Sequence, residues 1–370
     1  MMNIVYLLGS LNRGGTETLI LDILKNIKEE NIHVSGIYRR DGHLSGDFKN
    51  TGVGLIKLRP KYKFDLFYVI KLRRLFNNEK IHIAHAQQPI DALYACIASK
   101  GLNTKVILSL HGFDFSLRKR TKRIIQFIMR RVDLVIFVSN TQQDYYIDKY
   151  HFRKVKSRVL YNGISFDKFN NVQPISIRKE FDVSENELLL GSVGNFNVGR
   201  DQMTICRFLN RLNQQNISFT FIFIGSKSET VPHYWNDCQN YCSENGLGSK
   251  VIFAGSRSDI PNFLNQLDAF IYSTDHDSFG IAVIEAMYMG IPAFINNWKV
   301  FEEITDGGKH GNFYHTKDEN DLLNKFMPFL ANRKFFDEKA KLDSQWVKEQ
   351  YSIQNHIKNL LEVYRSVLTN

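Results

Sequence analysis

Asp277 and Glu285 stand eight residues apart in the run Asp275-His276-Asp277-Ser278-Phe279-Gly280-Ile281-Ala282-Val283-Ile284-Glu285-Ala286-Met287. A tight turn over 278–281 with a helix just after it puts Asp277 on the loop and Glu285 in the first turns of the helix. Both acids then face one pocket. The helix start between them offers N–H groups without intrahelical acceptors and the positive end of the helix dipole, a setting that suits phosphate. Two carboxylates suited to hydroxyl groups beside an anion site point to a sugar nucleotide. The alternative, a pair of surface acids, fits poorly with Phe279-Gly280 and the apolar run that follows.

Three other short segments carry groups of the same kind. Gly9-Ser10-Leu11-Asn12-Arg13-Gly14-Gly15-Thr16-Glu17 follows a strand-like run and opens a helix-like one. Small residues there let a phosphate approach backbone amides, although neither a P-loop nor a G-x-G-x-x-G fingerprint is present. His111-Gly112-Phe113-Asp114 puts an imidazole after a strand, where it could bond a reacting sugar or an incoming hydroxyl. Gly194-Asn195-Phe196-Asn197-Val198-Gly199-Arg200-Asp201-Gln202 offers Arg200, whose guanidinium suits a diphosphate. Each has an ordinary counterpart: a plain strand-to-helix turn, a structural histidine, a solvated arginine. His82, His85 and His111 do not read as a metal site, because residues 82 and 85 fall on opposite faces of one strand.

These segments need a scaffold that brings strand ends together. Strand-like runs at 4–8, 34–38, 83–85, 106–110 and 134–138 alternate with helix-like runs such as 16–27. A second series follows residue 170, with strands at 188–193, 219–224, 251–253, 269–272 and 292–295. Helices are expected at 203–213, 234–245, 260–266 and 282–289. Alternation of this kind is the mark of parallel sheets covered on both faces. Ligands of such sheets bind outside the carboxyl ends of the strands, where most of the motifs fall. The segment 161–171 carries Asn162-Gly163 and no core pattern, and is read as the linker. The expected domains are therefore 1–165 and 166–348, with a helix in 349–370 packing back toward the first.

Charge divides along the same line. Residues 1–160 hold 28 Lys and Arg against 13 Asp and Glu, a balance of +15, and residues 161–370 balance at −5. The basic stretch 117–131 interleaves cations with Ile124, Ile125, Phe127, Ile128 and Met129. It reads either as a surface for an anionic membrane or as a solvated helix face over a core stripe. No helix-turn-helix, zinc-finger or aromatic RNA-binding signature accompanies the charge, which argues against nucleic acid. Apolar runs are strand-sized, too short to span a membrane as helices. The amino-terminal run lacks a basic region and a cleavage site and reads as a buried strand, so a cytoplasmic location is expected. Four cysteines, Cys96, Cys206, Cys238 and Cys242, form no zinc-binding set.

Taken in order, the pieces resemble glycosyltransferase family 4, retaining enzymes of the GT-B fold. The resemblance rests on Gly14-Gly15-Thr16-Glu17, His111-Gly112-Phe113-Asp114, Tyr161-Asn162-Gly163-Ile164 and the segment from Gly194 to Gln202. It continues through Ile222-Phe223-Ile224-Gly225, Val251-Ile252-Phe253-Ala254-Gly255, the acid-x7-Glu run, Gly290-Ile291-Pro292 and Glu303-Ile304. The nearest likeness is to bacterial transferases that build capsule, exopolysaccharide or O-antigen. It implies two doubly wound Rossmann-like domains facing across a cleft. Gly14 and Gly15 would set amides against the donor diphosphate, and His111 would contact the donor sugar near the reacting carbon. Arg200 stands where the family has its diphosphate-binding Lys, and Asn195 where it usually has Arg. Glu285 would bind the nucleotide ribose. Asp277, in place of the usual Glu, would bind donor sugar hydroxyls, with amides of Phe279, Gly280 and Ile281 on the sugar and phosphates.

The function implied is transfer of a hexose from a nucleotide sugar, most simply a UDP-sugar, to a saccharide or lipid-diphosphate-linked saccharide. No cofactor or metal is implied, since the sugar nucleotide is a substrate and cations and helix termini neutralise its charge. The basic first half suits peripheral contact with the anionic inner face of the cell membrane. The alternatives are a GT-B-shaped sugar-nucleotide epimerase and a non-catalytic membrane-surface-binding protein.

Overall fold

Alternation within the first strand decides what covers each face of the first sheet. In β1 (Met2–Leu8) successive side chains point to opposite faces, and both sets are apolar. Val5 and Leu7 join a core with Leu72, Phe76, Ala95, Ile128 and Met129. Ile4, Tyr6 and Leu8 join another with Ile20, Leu24, Phe48, Leu360 and Tyr364. A strand buried on both sides needs helices on both sides, which is the parallel arrangement the run pattern predicts. The computed structural model describes residues 1–62, 65–115, 117–170, 175–197, 199–229 and 231–369.

The chain forms two units. One comprises Met1–Ile164 together with the segment from Ser352 onward, and the other Ser165–Tyr351. In the first unit β1 is joined by β2 (Ile32–Tyr38), β3 (Gly54–Lys57), β4 (Ile83–Ala86), β5 (Lys105–Leu110), β6 (Leu134–Phe137) and β7 (Ser157–Val159). All pair in parallel, in the order β3-β2-β1-β4-β5-β6-β7. The order reverses between β1 and β4, so the chain leaves these two strands in opposite directions and opens a crevice at their carboxyl ends. The helix Ile353–Thr369 belongs to this unit and lies against the helix Gly15–Asn26.

The second unit repeats the plan with six strands: β8 (Leu188–Val193), β9 (Phe219–Ile224), β10 (Val251–Gly255), β11 (Ala269–Tyr272), β12 (Ala293–Asn296) and β13 (Asn312–Tyr314). They are parallel in the order β10-β9-β8-β11-β12-β13, with the reversal between β8 and β11. One face is closed by Ile205, Phe208, Leu209 and Leu212 of the helix Gln202–Gln214, Cys238 and Cys242 of Pro232–Glu244, and Leu322, Phe326 and Phe329 of Glu319–Ala331. The cysteines serve as small apolar side chains here.

Most element ends fall within one to three residues of the sequence expectation. The short strands β3, β7 and β13 escape it, because they lie at sheet edges and, unlike the equally short but fully buried β4, β6, β11 and β12, carry no continuous apolar run. The linker segment requires a larger correction. Ile164 pairs with Ser352 in a parallel bridge, and Ile164, Phe166 and Phe169 are all buried. Phe166 stacks on Tyr288 with ring centroids 3.9 Å apart, and residues Asp167–Asn170 form a helical turn. Three large apolar residues in six are a core pattern after all, obscured by the polar residues between them. Residue 171, the end of that segment, lies outside the described residues.

Candidate functional site

In the second unit the loops after β8 and β11, the two strands flanking the reversal, are stitched together. Arg200 and Thr274 form an antiparallel bridge, and the Asp201 amide donates to the Ser273 carbonyl at 3.1 Å. The Asp275 amide and the Thr274 hydroxyl both donate to the Gly199 carbonyl, at 3.0 and 2.6 Å. Gly199 adopts φ +87°, and a Cβ there would overlap the His276 side chain. The result is a fixed platform for two side chains singled out from sequence. Arg200 Nη1 donates to Asp277 Oδ2 at 2.6 Å, and the Tyr272 hydroxyl donates to the same oxygen at 2.7 Å. The guanidinium also lies 5.0 Å from the centre of the Tyr272 ring, and Trp298 Nε1 donates to the Asp277 carbonyl at 2.8 Å.

Gly280 takes φ +87° and caps the helix Ile281–Tyr288 without a side-chain hydrogen bond. A Cβ there would stand 2.5 Å from the Phe301 ring. The first helical bonds are donated by Val283 and Ile284 to the Gly280 carbonyl, so the Ile281 and Ala282 amides stand ahead of the ladder. Phe279 is buried with its ring against Tyr351 at 5.6 Å, which anchors the turn. The unit thus brings Arg200, Asp277 and an open helix start together at the strand-order reversal.

Glu285 does not share these partners. It sits in the second turn of that helix, and its Oε1 accepts from Lys168 Nζ at 2.5 Å. Lys168 lies on the turn Asp167–Asn170, a segment the sequence reading treats as linker, and nothing in its neighbours marked it. Asp277 and Glu285 thus each hold a different cation, pairings that their spacing in the sequence does not reveal. Asn195 is also committed. Its Oδ1 accepts from the Ser226 amide at 2.8 Å, and its main-chain oxygen accepts from Gln202 Nε2 at 3.3 Å, which ties the loops after β8 and β9.

The first unit carries the other residues. The helix Gly15–Asn26 begins at Gly14, which is extended and has no capping side chain. A Cβ on Gly14 would stand 2.7 Å from a Glu17 carboxylate oxygen. Burial raises the Glu17 pKa, so this helix start already faces an acid of its own chain.

His111 follows β5, and its Nε2 bonds Gln87 Oε1 at 2.7 Å, on the loop after β4. The turn that carries His111 is held rigidly. The Gly112 carbonyl accepts from Gln142 Nε2 at 2.9 Å and from the Tyr146 hydroxyl at 3.1 Å. Asp114 is buried and accepts from Tyr145, Lys149 and Tyr150, a structural anchor. Burial pushes the His111 pKa down to about 4, with His356 adding to the effect, so the ring is neutral near pH 7.

His82 and His85 have separate partners. His82 Nδ1 accepts from the Asn3 amide at 3.0 Å. His85 is buried between Ser109 and Tyr364, each at 2.7 Å, and Tyr364 bonds Tyr6 at 2.8 Å. Burial holds the His85 pKa down at about 3. Gln87, His356 and Tyr364, all close to His85 or His111 in the fold, are absent from the sequence reading, and Asn162 enters it only within a turn, because three distant parts of the chain supply them.

On the helix Lys119–Arg131, Ile125, Ile128 and Met129 point into the core. Ile124 and Phe127 are 45% and 49% exposed among the arginines, and Arg131 lies 4.8 Å from the Phe127 ring centre. The helix has no acidic residue.

Comparison with known proteins gives the same organisation. Residues 13–168 match the family described as Glycosyltransferase Family 4, and residues 175–352 match Glycosyl transferases group 1. The chain is 21% identical to the O-antigen biosynthesis glycosyltransferase WclY of Escherichia coli, over 82% of this chain and 83% of that one. It is 23% identical to an Escherichia coli UDP-Gal:alpha-D-GlcNAc-diphosphoundecaprenol alpha-1,3-galactosyltransferase, over 63% and 62% of the two chains. The fold is similar to that of Anabaena HepE solved with UDP-glucose, with a TM-score of 0.87, 19% identity and coverage of 99% and 100%. With both of its units matched by glycosyltransferase families and its fold by glycosyltransferase structures, the chain belongs to the glycosyltransferases of the GT-B fold.

Proposed function

We propose that this glycosyltransferase moves a hexose from a UDP-sugar, with retention at the anomeric carbon, to a saccharide or lipid-diphosphate-linked saccharide in the assembly of a bacterial surface polysaccharide. The observation that carries the reading is the joining of Arg200, Asp277 and the open start of the helix Ile281–Tyr288 at one strand-order reversal. Arg200 keeps Nε and Nη2 for a diphosphate while Nη1 holds Asp277, and the amides at 281 and 282 add the positive end of a helix. Asp277 accepts from sugar hydroxyls, Glu285 from the ribose, and neutral His111 bonds the sugar. Gly14 and Gly15 bring amides to the diphosphate. The similarity to a protein solved with UDP-glucose, and to relatives named for O-antigen synthesis and for a diphosphoundecaprenol acceptor, supports the donor and acceptor classes.

In the reaction, the bond from the anomeric carbon to the diphosphate oxygen breaks as the acceptor oxygen attacks the same face. The acceptor proton passes to the departing diphosphate. Arg200 and the helix amides stabilise the charge that develops on the leaving group, so neither a metal nor a protein nucleophile enters the scheme. The carboxylates bind hydroxyls and take no part in two-carboxylate glycosidase chemistry. The cationic, outward-facing side of the helix Lys119–Arg131, with Ile124 and Phe127, supports a reading in which the protein associates peripherally with an anionic cytoplasmic membrane face.

Thermal melts with UDP-, GDP- and ADP-sugars test the donor. A UDP-sugar should raise the melting temperature, and Arg200→Ala should abolish that rise and lower transfer on the order of a hundredfold. Protection by no UDP-sugar, or unchanged turnover of the variant at saturating and limiting donor, refutes the assignment.

A further inference from the structure

Glu285 and Tyr288 stand three residues apart on the helix Ile281–Tyr288, so their side chains are neighbours on one face. The turn Asp167–Asn170 and the residue before it pack on that face, all within the second unit. Phe166 stacks on Tyr288 with the rings 6° from parallel, and Phe169 lies against the same ring at 5.5 Å. The Tyr288 hydroxyl donates to Asn170 Oδ1 at 3.4 Å. Lys168, between the two phenylalanines, reaches the other residue of the pair, its Nζ donating to Glu285 Oε1 at 2.5 Å. Its ammonium also lies 5.0 Å from the centre of the Phe169 ring. The turn is thus seated by ring contacts that do not involve the ion pair.

The ion pair acts on a carboxylate with little water around it. Glu285 is 9% exposed, and Lys168 is its ion-pair partner among the described residues. A charge-assisted bond offsets the lost hydration. It also takes up the freedom of a side chain with three rotatable bonds, so the carboxylate is ordered before a ligand arrives. Oε2 makes no hydrogen bond among the described residues and is not one of the buried polar atoms left without a partner. Side chains on a helix lean toward its amino end, so Glu285 lies over the turn that begins at Ile281. The four-residue rise between them is about 6 Å along the axis, comparable with the reach from the phosphates to the ribose of one nucleotide.

We propose that Lys168 is a positioning residue for donor recognition: it holds Glu285 in one rotamer, over the open helix start, with Oε2 left to accept from ribose hydroxyls. That role rests on the reading of Glu285 as the ribose acceptor in the function proposed above. Lys168 acts through Glu285 and makes no contact with the nucleotide of its own. Loosening Glu285 then weakens the ribose contact while the diphosphate keeps Arg200 and the amides at 281 and 282.

Titration calorimetry of the full chain with UDP and with 2′-deoxy-UDP reads the ribose preference as a ratio of dissociation constants, which a change in overall stability does not move. The native chain should favour UDP on the order of tenfold. Lys168→Met should lower that ratio about threefold to tenfold, the scale of ordering one long side chain on binding. Lys168→Arg, which restores the charge and the reach, should keep it. Lys168→Gln, neutral but still a donor, should lower it by a smaller factor and serves if the Met variant does not fold. In a Glu285→Ala background, Lys168→Met should leave the ratio unchanged. A native ratio in both Lys168→Met and Lys168→Gln, or an effect of Lys168→Met that persists without Glu285, overturns the positioning role alone. A native chain that binds neither nucleotide, or Glu285→Ala with the native ratio, overturns the donor reading and the positioning role with it.

Discussion

Tyr364 should be the most expensive hydroxyl in the first unit to remove. It lies between the Tyr6 hydroxyl at 2.8 Å and His85 Nδ1 at 2.7 Å, and all three side chains are buried. Tyr364→Phe keeps the ring and its edge-on contact with His85, 5.7 Å between centroids, so packing is preserved. It leaves two buried polar groups without partners, at about 1–3 kcal/mol each. The expected loss is roughly 2–6 kcal/mol. Tyr6→Phe removes one bond but leaves the Tyr364–His85 pair intact, and should cost only about 1 kcal/mol. For a unit of this size the difference appears as a drop of roughly 5–15 °C in melting temperature for Tyr364→Phe and a few degrees for Tyr6→Phe. The double variant should lose less than the sum, because Tyr6 no longer has a group to strand. Calorimetry of the three variants is the assay. Equal effects of Tyr364→Phe and Tyr6→Phe, or a strictly additive double variant, would refute the argument.

Gly280→Ala places a Cβ against Phe301 at φ +87°; it should cost on the order of 1–3 kcal/mol and weaken protection by a UDP-sugar, and an unchanged melt would count against the strained cap. Folding stability should fall as pH drops below about 6.5. His85, His111 and His356 hold folded pKa values of about 3, 4 and 4, depressed first by burial, so the unfolded chain binds more protons in that window. Asp91, raised to about 6 by burial, works in the opposite direction between about pH 6 and 4, leaving a net loss of roughly 1–3 kcal/mol per pH unit near pH 5. Denaturant midpoints that do not move between pH 7 and 5 would contradict this. Phe127→Glu on the outward face of the helix Lys119–Arg131 should lower sedimentation with phosphatidylglycerol vesicles at low salt on the order of tenfold, with no change on neutral vesicles; equal binding of variant and native chain removes the membrane face.

The strands and the loops after them were legible because burial on both faces leaves near-continuous apolar runs, and a run's end marks a carboxyl edge. That is how the positions of His111 and Arg200, each in a loop after a strand, follow from the sequence. Periodicity reports which face a residue takes, but not which side chain meets it. Gln87, Asn162 and His356 converge on one cavity from opposite reaches of the chain, and no local spacing relates them. Lys168 was hidden for the same reason, since its partner Glu285 is 117 positions away. The family resemblance treats Arg200 and Asp277 as separate contacts, whereas in the structure they hold each other. Arg200 stands where the family has Lys and Asp277 where it usually has Glu, and here the two side chains form one ion pair at 2.6 Å.

The helix Ile353–Thr369 gives the order of synthesis a physical meaning. On the ribosome, residues 1–164 emerge with their apolar surface at Ile4, Ile20, Leu24 and Leu160 lacking the cover of Ile357, Leu360 and Leu361. Tyr6 and His85 wait for Tyr364 over the same interval. Everything from Ser165 to Tyr351 must be made before that cover arrives. The second unit has all of its own strands by then, so its core can close before that of the first is complete. A chain released early would hold an intact second unit beside a first unit with an open, greasy flank, a form that chaperones and proteases recognise readily.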